Sequence, residues 1–285
     1  MKVMPFLILL FAYFLKGNAQ VFDSLSIRQK IDFIGLLQSE KQIDDAIFLS
    51  HHFNSTIRND SLRLLEIKLN LIDRRFLDAE QLIKPYFKQE GNKPLSECSI
   101  TLIENHCKIQ KGVFTELIDP SCSNHKEHRE CWKIQLLISF LLQRKTEEFD
   151  MLFETDKCKN AILSLIEFDL FVQMMEIKKT KLKKPFVAGL LSAIIPGLGK
   201  VYTKKPHEAL TSFIPVAFNW LQAAEGHYLN QWKSPQFYIF GSIGTVFYFS
   251  GIAGSAASAK RKNEEFNSTI NNTIDFETNK LISFY

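Results

Sequence analysis

The sequence has little charge of one sign: 35 lysines and arginines stand against 31 aspartates and glutamates over 285 residues, a formal charge of +4. The two signs are mostly interleaved, which argues against a nucleic-acid-binding surface. There is no Gly-rich phosphate loop of the Walker or dinucleotide type and no metalloprotease helix signature. The carboxylate pairs Asp44-Asp45, Glu147-Glu148 and Glu264-Glu265 sit in polar contexts and read as solvated faces. No nucleophile-and-base set is supported either, so the expectation is a non-enzyme without a cofactor, a metal or an identified small-molecule substrate. Long apolar runs are also scarce, with one at the N-terminus and the rest after Pro185. An apolar fraction of 46% with 12% aromatics is nevertheless ample for a buried core, which excludes disorder as the general state.

The chain opens with Met1-Lys2, an apolar stretch from Val3 to Leu15, and Lys16-Gly17-Asn18-Ala19. Charged, apolar and small-residue regions in this order predict a secretory signal peptide over residues 1–19, cleaved after Ala19. The apolar stretch is short for a membrane span. Export would place Cys98, Cys107, Cys122, Cys131 and Cys158 in an oxidising compartment. Five cysteines allow at most two disulfides and leave one thiol, and sequence alone does not choose the pairing.

Residues 20–180 carry apolar residues at helical spacing, with few prolines and little strand-like alternation. Ile27, Ile31 and Ile34 mark one helix, Phe76, Ala79, Ile83 and Phe87 another, and Ile162, Ile166 and Leu170 a later one. The segment beginning Leu36-Leu37, with Ile43 and Ala46, aligns with the one beginning Leu69, with Phe76 and Ala79, at an offset of 33 positions. Fainter copies start near Val113 and Thr146. A small residue at Ala46 or Ala79 lets a partner helix approach, and stacked helix pairs bury a continuous core. The pattern resembles a degenerate tetratricopeptide array of about four units. That resemblance implies a concave groove for a protein partner. The alternative is an irregular helical domain.

Cys122, His125, His128 and Cys131, with His106-Cys107 upstream, invite a zinc reading. On one continuous helix, steps of three residues carry Cys122 and Cys131 to opposite faces, so four ligands would converge only if the chain reversed near Cys122. The preferred reading is a disulfide tying a loop to a helix, with exposed histidines beside it. His51-His52 reads as a helix end.

Lys178, Lys179, Lys181, Lys183 and Lys184 then lead into the apolar region. Beside such a region, a lysine cluster suits an anionic lipid surface. The region from 181 to 262 is read as a membrane domain in three parts: a re-entrant or short helix from Pro185 to Tyr202, and helices over Ala209–Ala224 and Phe237–Ala259. Pro196, Gly197 and Gly199 break the first part. The second has a polar face with Thr211, Ser212, Pro215, Asn219 and Gln222. In the third, Gly251, Ser255 and Ala259 recur every four positions and would admit a close helix. Trp220, Tyr228, Trp232, Tyr238 and Tyr248 include candidate interfacial anchors. The polar tail, 263–285, is expected as a loose surface helix or partly disordered.

The run Ser192-Ala-Ile-Ile-Pro-Gly-Leu-Gly-Lys-Val-Tyr202, with Phe247-Tyr248-Phe-Ser-Gly251 and the small residues before Lys260-Arg261-Lys262-Asn263, resembles a family of uncharacterised bacterial envelope proteins. These have a small C-terminal membrane domain with a Pro-Gly-x-Gly-x-x-Tyr loop, often behind a signal peptide and helical repeats. The resemblance covers residues 185–266 and singles out Pro196, Gly197, Gly199 and Tyr202. Lys204 stands where the family usually has glycine. The resemblance implies no activity.

Together these features predict an all-α, exported, membrane-anchored protein-binding or scaffold protein of a bacterial cell envelope, its N-terminal domain periplasmic and its C-terminal domain among membrane lipids. The basic flanks of the apolar segments oppose a cleaved signal peptide if two segments span and are neutral if three do. The alternative function is a transport or channel component, with the break from Pro196 to Gly199 lining a polar path.

Overall fold

The structure is a computed structural model, and it describes residues 25–57, 59–87, 97–119, 126–155 and 157–285. The expected signal peptide, Cys122 and His125 lie outside the described residues. Among those described the fold is all-helical, with twelve α-helices, two short 3-10 helices and no strand. The helices are α1 (Ile27–Ser39), α2 (Ile43–Ile57), α3 (Asp60–Ile72), α4 (Phe76–Phe87), α5 (Glu97–Gln110), α6 (Lys126–Leu142), α7 (Thr146–Thr155), α8 (Ala161–Lys179), α9 (Pro185–Ile194), α10 (Leu198–Tyr202), α11 (Pro206–Asn230) and α12 (Pro235–Lys280).

Local chemistry starts and stops these helices. Ser26 and Gln29 form a reciprocal capping box at the start of α1. Asn59 accepts from the N–H groups of Ser61 and Leu62 at the start of α3. Four helix ends share one corner. At Lys41, Arg74, Gly112 and Arg144 the backbone turns left-handed, with φ of 61°, 62°, 75° and 60°. At each, this residue's N–H reaches the carbonyl three positions back, and the next residue's N–H reaches the carbonyl five back, as in Lys41 N–H to Gln38 O and Gln42 N–H to Leu37 O. This is a Schellman ending, which satisfies carbonyls the helix leaves open. Three of these residues are not glycine, so the tertiary packing holds a conformation that L-residues disfavour.

The chain divides into two compact units. One runs to Phe171 and takes in Phe276–Tyr285; the other is Val172–Asp275. In the first, each helix from α1 to α6 packs on the next. Ile34, Leu37, Ala46, Ile47, Phe53, Leu62 and Leu69 form a buried cluster across α1, α2 and α3. Ala46 and Ala79, the small residues of the two aligned segments, are both fully buried.

Several expectations need correction. Residues 113–119, where one of the fainter repeat copies is expected to start, are non-helical. Asn105 instead brackets Ile118, donating to its carbonyl at 2.7 Å and accepting from its N–H at 2.9 Å. Thr146 is the first residue of α7. On α8 the buried face is Leu163, Ile166, Leu170 and Met174, whereas Ile162 is exposed. The tail is not loose: α12 continues to Lys280, and Leu281, Ile282 and Tyr285 are buried.

Candidate functional site

In the second unit the Pro-Gly-x-Gly-x-x-Tyr loop joins two very short helices. Helix α9 has ten residues, about 15 Å of rise, half the roughly 30 Å hydrocarbon thickness of a bilayer. Pro185 opens it at a position that tolerates a missing N–H. Ile195 is extended, and Gly197 at φ +87° turns the chain into α10. Here glycine is required twice. A Cβ on Gly197 would lie 2.5 Å from the carbonyl oxygen of Ala209, and one on Gly199 would lie 1.9 Å from that of Ala188. The close approach is fixed by Ser192, whose hydroxyl accepts from Gly199 N–H at 2.9 Å and donates to Ser255 Oγ at 2.7 Å.

Tyr202 returns the loop to its beginning. Its hydroxyl accepts from the Lys184 N–H at 3.3 Å, and the Lys183 ammonium lies 4.5 Å from the centre of its ring. Asn263 on α12 holds the same segment, accepting from Lys183 N–H at 2.8 Å and donating to its carbonyl at 2.7 Å. Lys204, at φ +65°, ends α10 with the hydrogen-bond pattern seen at the four corners of the first unit. The position where the resembling family carries glycine is thus a left-handed one, and lysine adopts it here.

Pro196 borders a recess of about 430 Å³ whose other walls include Ile194, Phe213, Val216, Trp220 and Tyr248. These groups are apolar apart from the Trp220 indole N–H and the Tyr248 hydroxyl, which donates to the Ala193 carbonyl at 2.6 Å. Asn219 is also satisfied locally, its amide donating to the Pro215 carbonyl of its own helix. In the small-residue stripe, Ser255 and Ala259 are fully buried, and a Cβ on Gly189 of α9 would meet Ala256 and Ile252 at 3.8 Å. Much of the stripe is therefore occupied by the unit's own packing. A Cβ on Gly251 would meet nothing within 4 Å.

The outer surfaces of these helices are apolar. Phe186, Leu221, Val246 and Phe249 are exposed, as are the expected anchors Trp220, Tyr228, Trp232 and Tyr238. Helix α12 is the one helix among the described residues that is long and apolar enough to cross a membrane, and only 6% of its apolar window is buried.

The first unit buries several polar groups. Lys133 and Glu167 form a buried ion pair at 2.6 Å, and Glu167 also accepts from the Cys158 N–H at 3.0 Å. His51 lies inside α2 rather than at its end, with Nδ1 2.8 Å from the carboxylate of Glu66, itself buried and bonded to Asn54. Glu66 belongs to the core face of α3, four positions after buried Leu62, a placement visible in the helical spacing. Among the described residues no three His, Cys, Asp or Glu side chains are placed to hold a metal. Cys98 is disulfide-bonded, within the expected limit of two bridges, whereas Cys107, Cys131 and Cys158 are buried free thiols, so more than one thiol is left over and Cys131 ties no loop to its helix. They serve as small apolar core residues. Burial pushes the Cys107 and Cys158 thiols up to about 12 and raises that of Cys131 further.

No protein-family model, curated protein or solved structure matches the chain.

Proposed function

We propose that the protein is a membrane-anchored scaffold of a bacterial cell envelope, its first unit exported and binding a protein partner, its second unit seated in the membrane. The observation that carries this reading is the apolar window of α12, 6% buried. A core helix of a water-soluble domain hides such a stretch, whereas an anchor leaves it for lipid. The recurrent corners at Lys41, Arg74, Gly112 and Arg144 support a tetratricopeptide-like repeat in the first unit, and hence a groove for a partner. The loop through Pro196, Gly197, Gly199 and Tyr202 then acts as a structural clasp of the anchor, consistent with the resemblance to bacterial envelope proteins.

Two measurements test the reading, one on isolated membranes and one in intact cells. Alkaline extraction of membranes should leave the chain in the pellet, and its release would end the anchoring claim. A Ser61→Cys variant should react with a membrane-impermeant thiol reagent from outside the inner membrane. Reaction only after permeabilisation would reassign the first unit to the cytoplasm.

A further inference from the structure

A cavity of about 970 Å³ opens within the second unit, where the end of α8, the segment 180–184, the corner after α10 and the polar part of α12 come together. Five lysines line it: Lys179, Lys181, Lys183, Lys204 and Lys262. Against them stand Glu176 and Glu265, and Glu265 lies 3.7 Å from Lys262. Among the described residues Lys179, Lys181 and Lys204 have no carboxylate within ion-pair distance. Ammonium groups converging from three separate segments repel one another unless an anion lies among them.

The lysines are presented by fixed backbone. The two Asn263 hydrogen bonds to Lys183 and the Tyr202 bond to Lys184 N–H hold segment 180–184 against α12 and the loop. The left-handed corner after α10 fixes the backbone of Lys204, which also lines the cavity. The remaining wall is mixed: Leu182, Phe266 and Ile270 are apolar, whereas Gln173, Thr269 and Thr273 are polar. Lys262 follows Ala259, where the apolar part of α12 ends, by three residues, about 5 Å along the helix axis. In a chain anchored through α12 this is the depth of lipid headgroups.

The geometry points to this cavity as a site for the phosphate of an anionic membrane phospholipid, with the lysines around the headgroup, the threonines beside its glycerol and Leu182, Phe266 and Ile270 against the start of its acyl chains. The assignment rests on the anchored reading above and deepens it. It gives the Pro-Gly-x-Gly-x-x-Tyr clasp a second role, holding Lys183 and Lys204 at one ligand.

Native mass spectrometry of the full chain in neutral detergent tests it, with equal phosphatidylglycerol and phosphatidylcholine offered. The parent chain should retain the anionic lipid preferentially. Lys181→Gln with Lys204→Gln should lower that retention about tenfold or more, whereas Lys181→Arg with Lys204→Arg should keep it. Lys178→Gln with Lys260→Gln removes the same charge outside the cavity and should leave retention unchanged. Equal loss in this control pair would mean diffuse attraction and overturn the site. Uptake of millimolar inorganic phosphate without retention of phosphatidylglycerol would overturn the lipid assignment in favour of a soluble phosphate compound. Absence of preference in a chain that still resists alkaline extraction would overturn the site while leaving the anchor intact.

Discussion

The hydroxyl of Tyr285 lies 2.9 Å from Nδ1 of His106, a residue 179 positions earlier in the chain. Gln135 donates to the same hydroxyl at 2.9 Å, so the phenol oxygen joins α5 and α6, while His106 Nε2 is buried without a hydrogen-bond partner among the described residues. The edge-on ring contact, with centroids 5.5 Å apart, completes the packing.

Burial lowers the His106 pKa from 6.5 to about 3. Between these values the unfolded chain binds a proton at this residue that the folded chain does not. Its contribution to stability is therefore present above pH 6.5 and lost as pH falls towards 3, with a slope of up to about 1.4 kcal/mol per pH unit. Carboxylates titrate in the same range, so the measurement is a comparison. Denaturant midpoints of the parent chain should fall more steeply from pH 6 to pH 4 than those of His106→Gln. Parallel curves would contradict a neutral buried histidine.

Gly199 and Gly251 should respond oppositely to the same change. Gly199→Ala drives a methyl group into the Ala188 carbonyl and should cost about 3 kcal/mol or more. Gly251→Ala enters open space within a helix and should be neutral or stabilising by up to about 1 kcal/mol. Thermal unfolding of the detergent-solubilised chain compares the two, and equal effects would contradict the tight clasp.

Lys133→Met leaves the Glu167 carboxylate buried beside an apolar chain. A loss of about 3 kcal/mol is expected. Adding Glu167→Leu should restore much of it, although the Cys158 N–H then loses its acceptor. A double variant no more stable than Lys133→Met would show that the loss does not come from an uncompensated carboxylate.

Thiol labelling should follow burial. In the native protein Cys107, Cys131 and Cys158 should resist maleimide, both because they are enclosed and because burial holds their thiols protonated. In denaturant without reductant all three should react while Cys98 does not. Rapid native labelling of Cys131 would contradict the core assignment.

The helical class is legible in the sequence because apolar residues recur every three to four positions from Ile27 onward. The turn at the loop follows from Pro196 and the two glycines, whose backbone demands are local. The Ala46 and Ala79 positions are also legible, since a small residue in an apolar stripe marks a close helix approach. Sequence spacing does not reveal partners far apart in the chain. Tyr285 finds His106, Asn263 finds Lys183 and Ser255 finds Ser192 only after the helices pack. The tail reads as loose because its apolar residues are scattered, yet Leu281, Ile282 and Tyr285 are buried. The left-handed turns at Lys41, Arg74, Arg144 and Lys204 have no glycine to signal them.

Helix α12 runs for 46 residues, about 70 Å, and carries both the apolar window and, beyond Asp275, the chain that closes the first unit. The consequence is one of timing during synthesis. The first unit's early helices can associate as soon as they emerge, since their cluster is local. His106 and Gln135 must wait for Tyr285, which the ribosome adds after every apolar segment has been made. The order of assembly is thus written into the chain: the apolar segments are made before the residue that completes the polar core around His106 and Gln135.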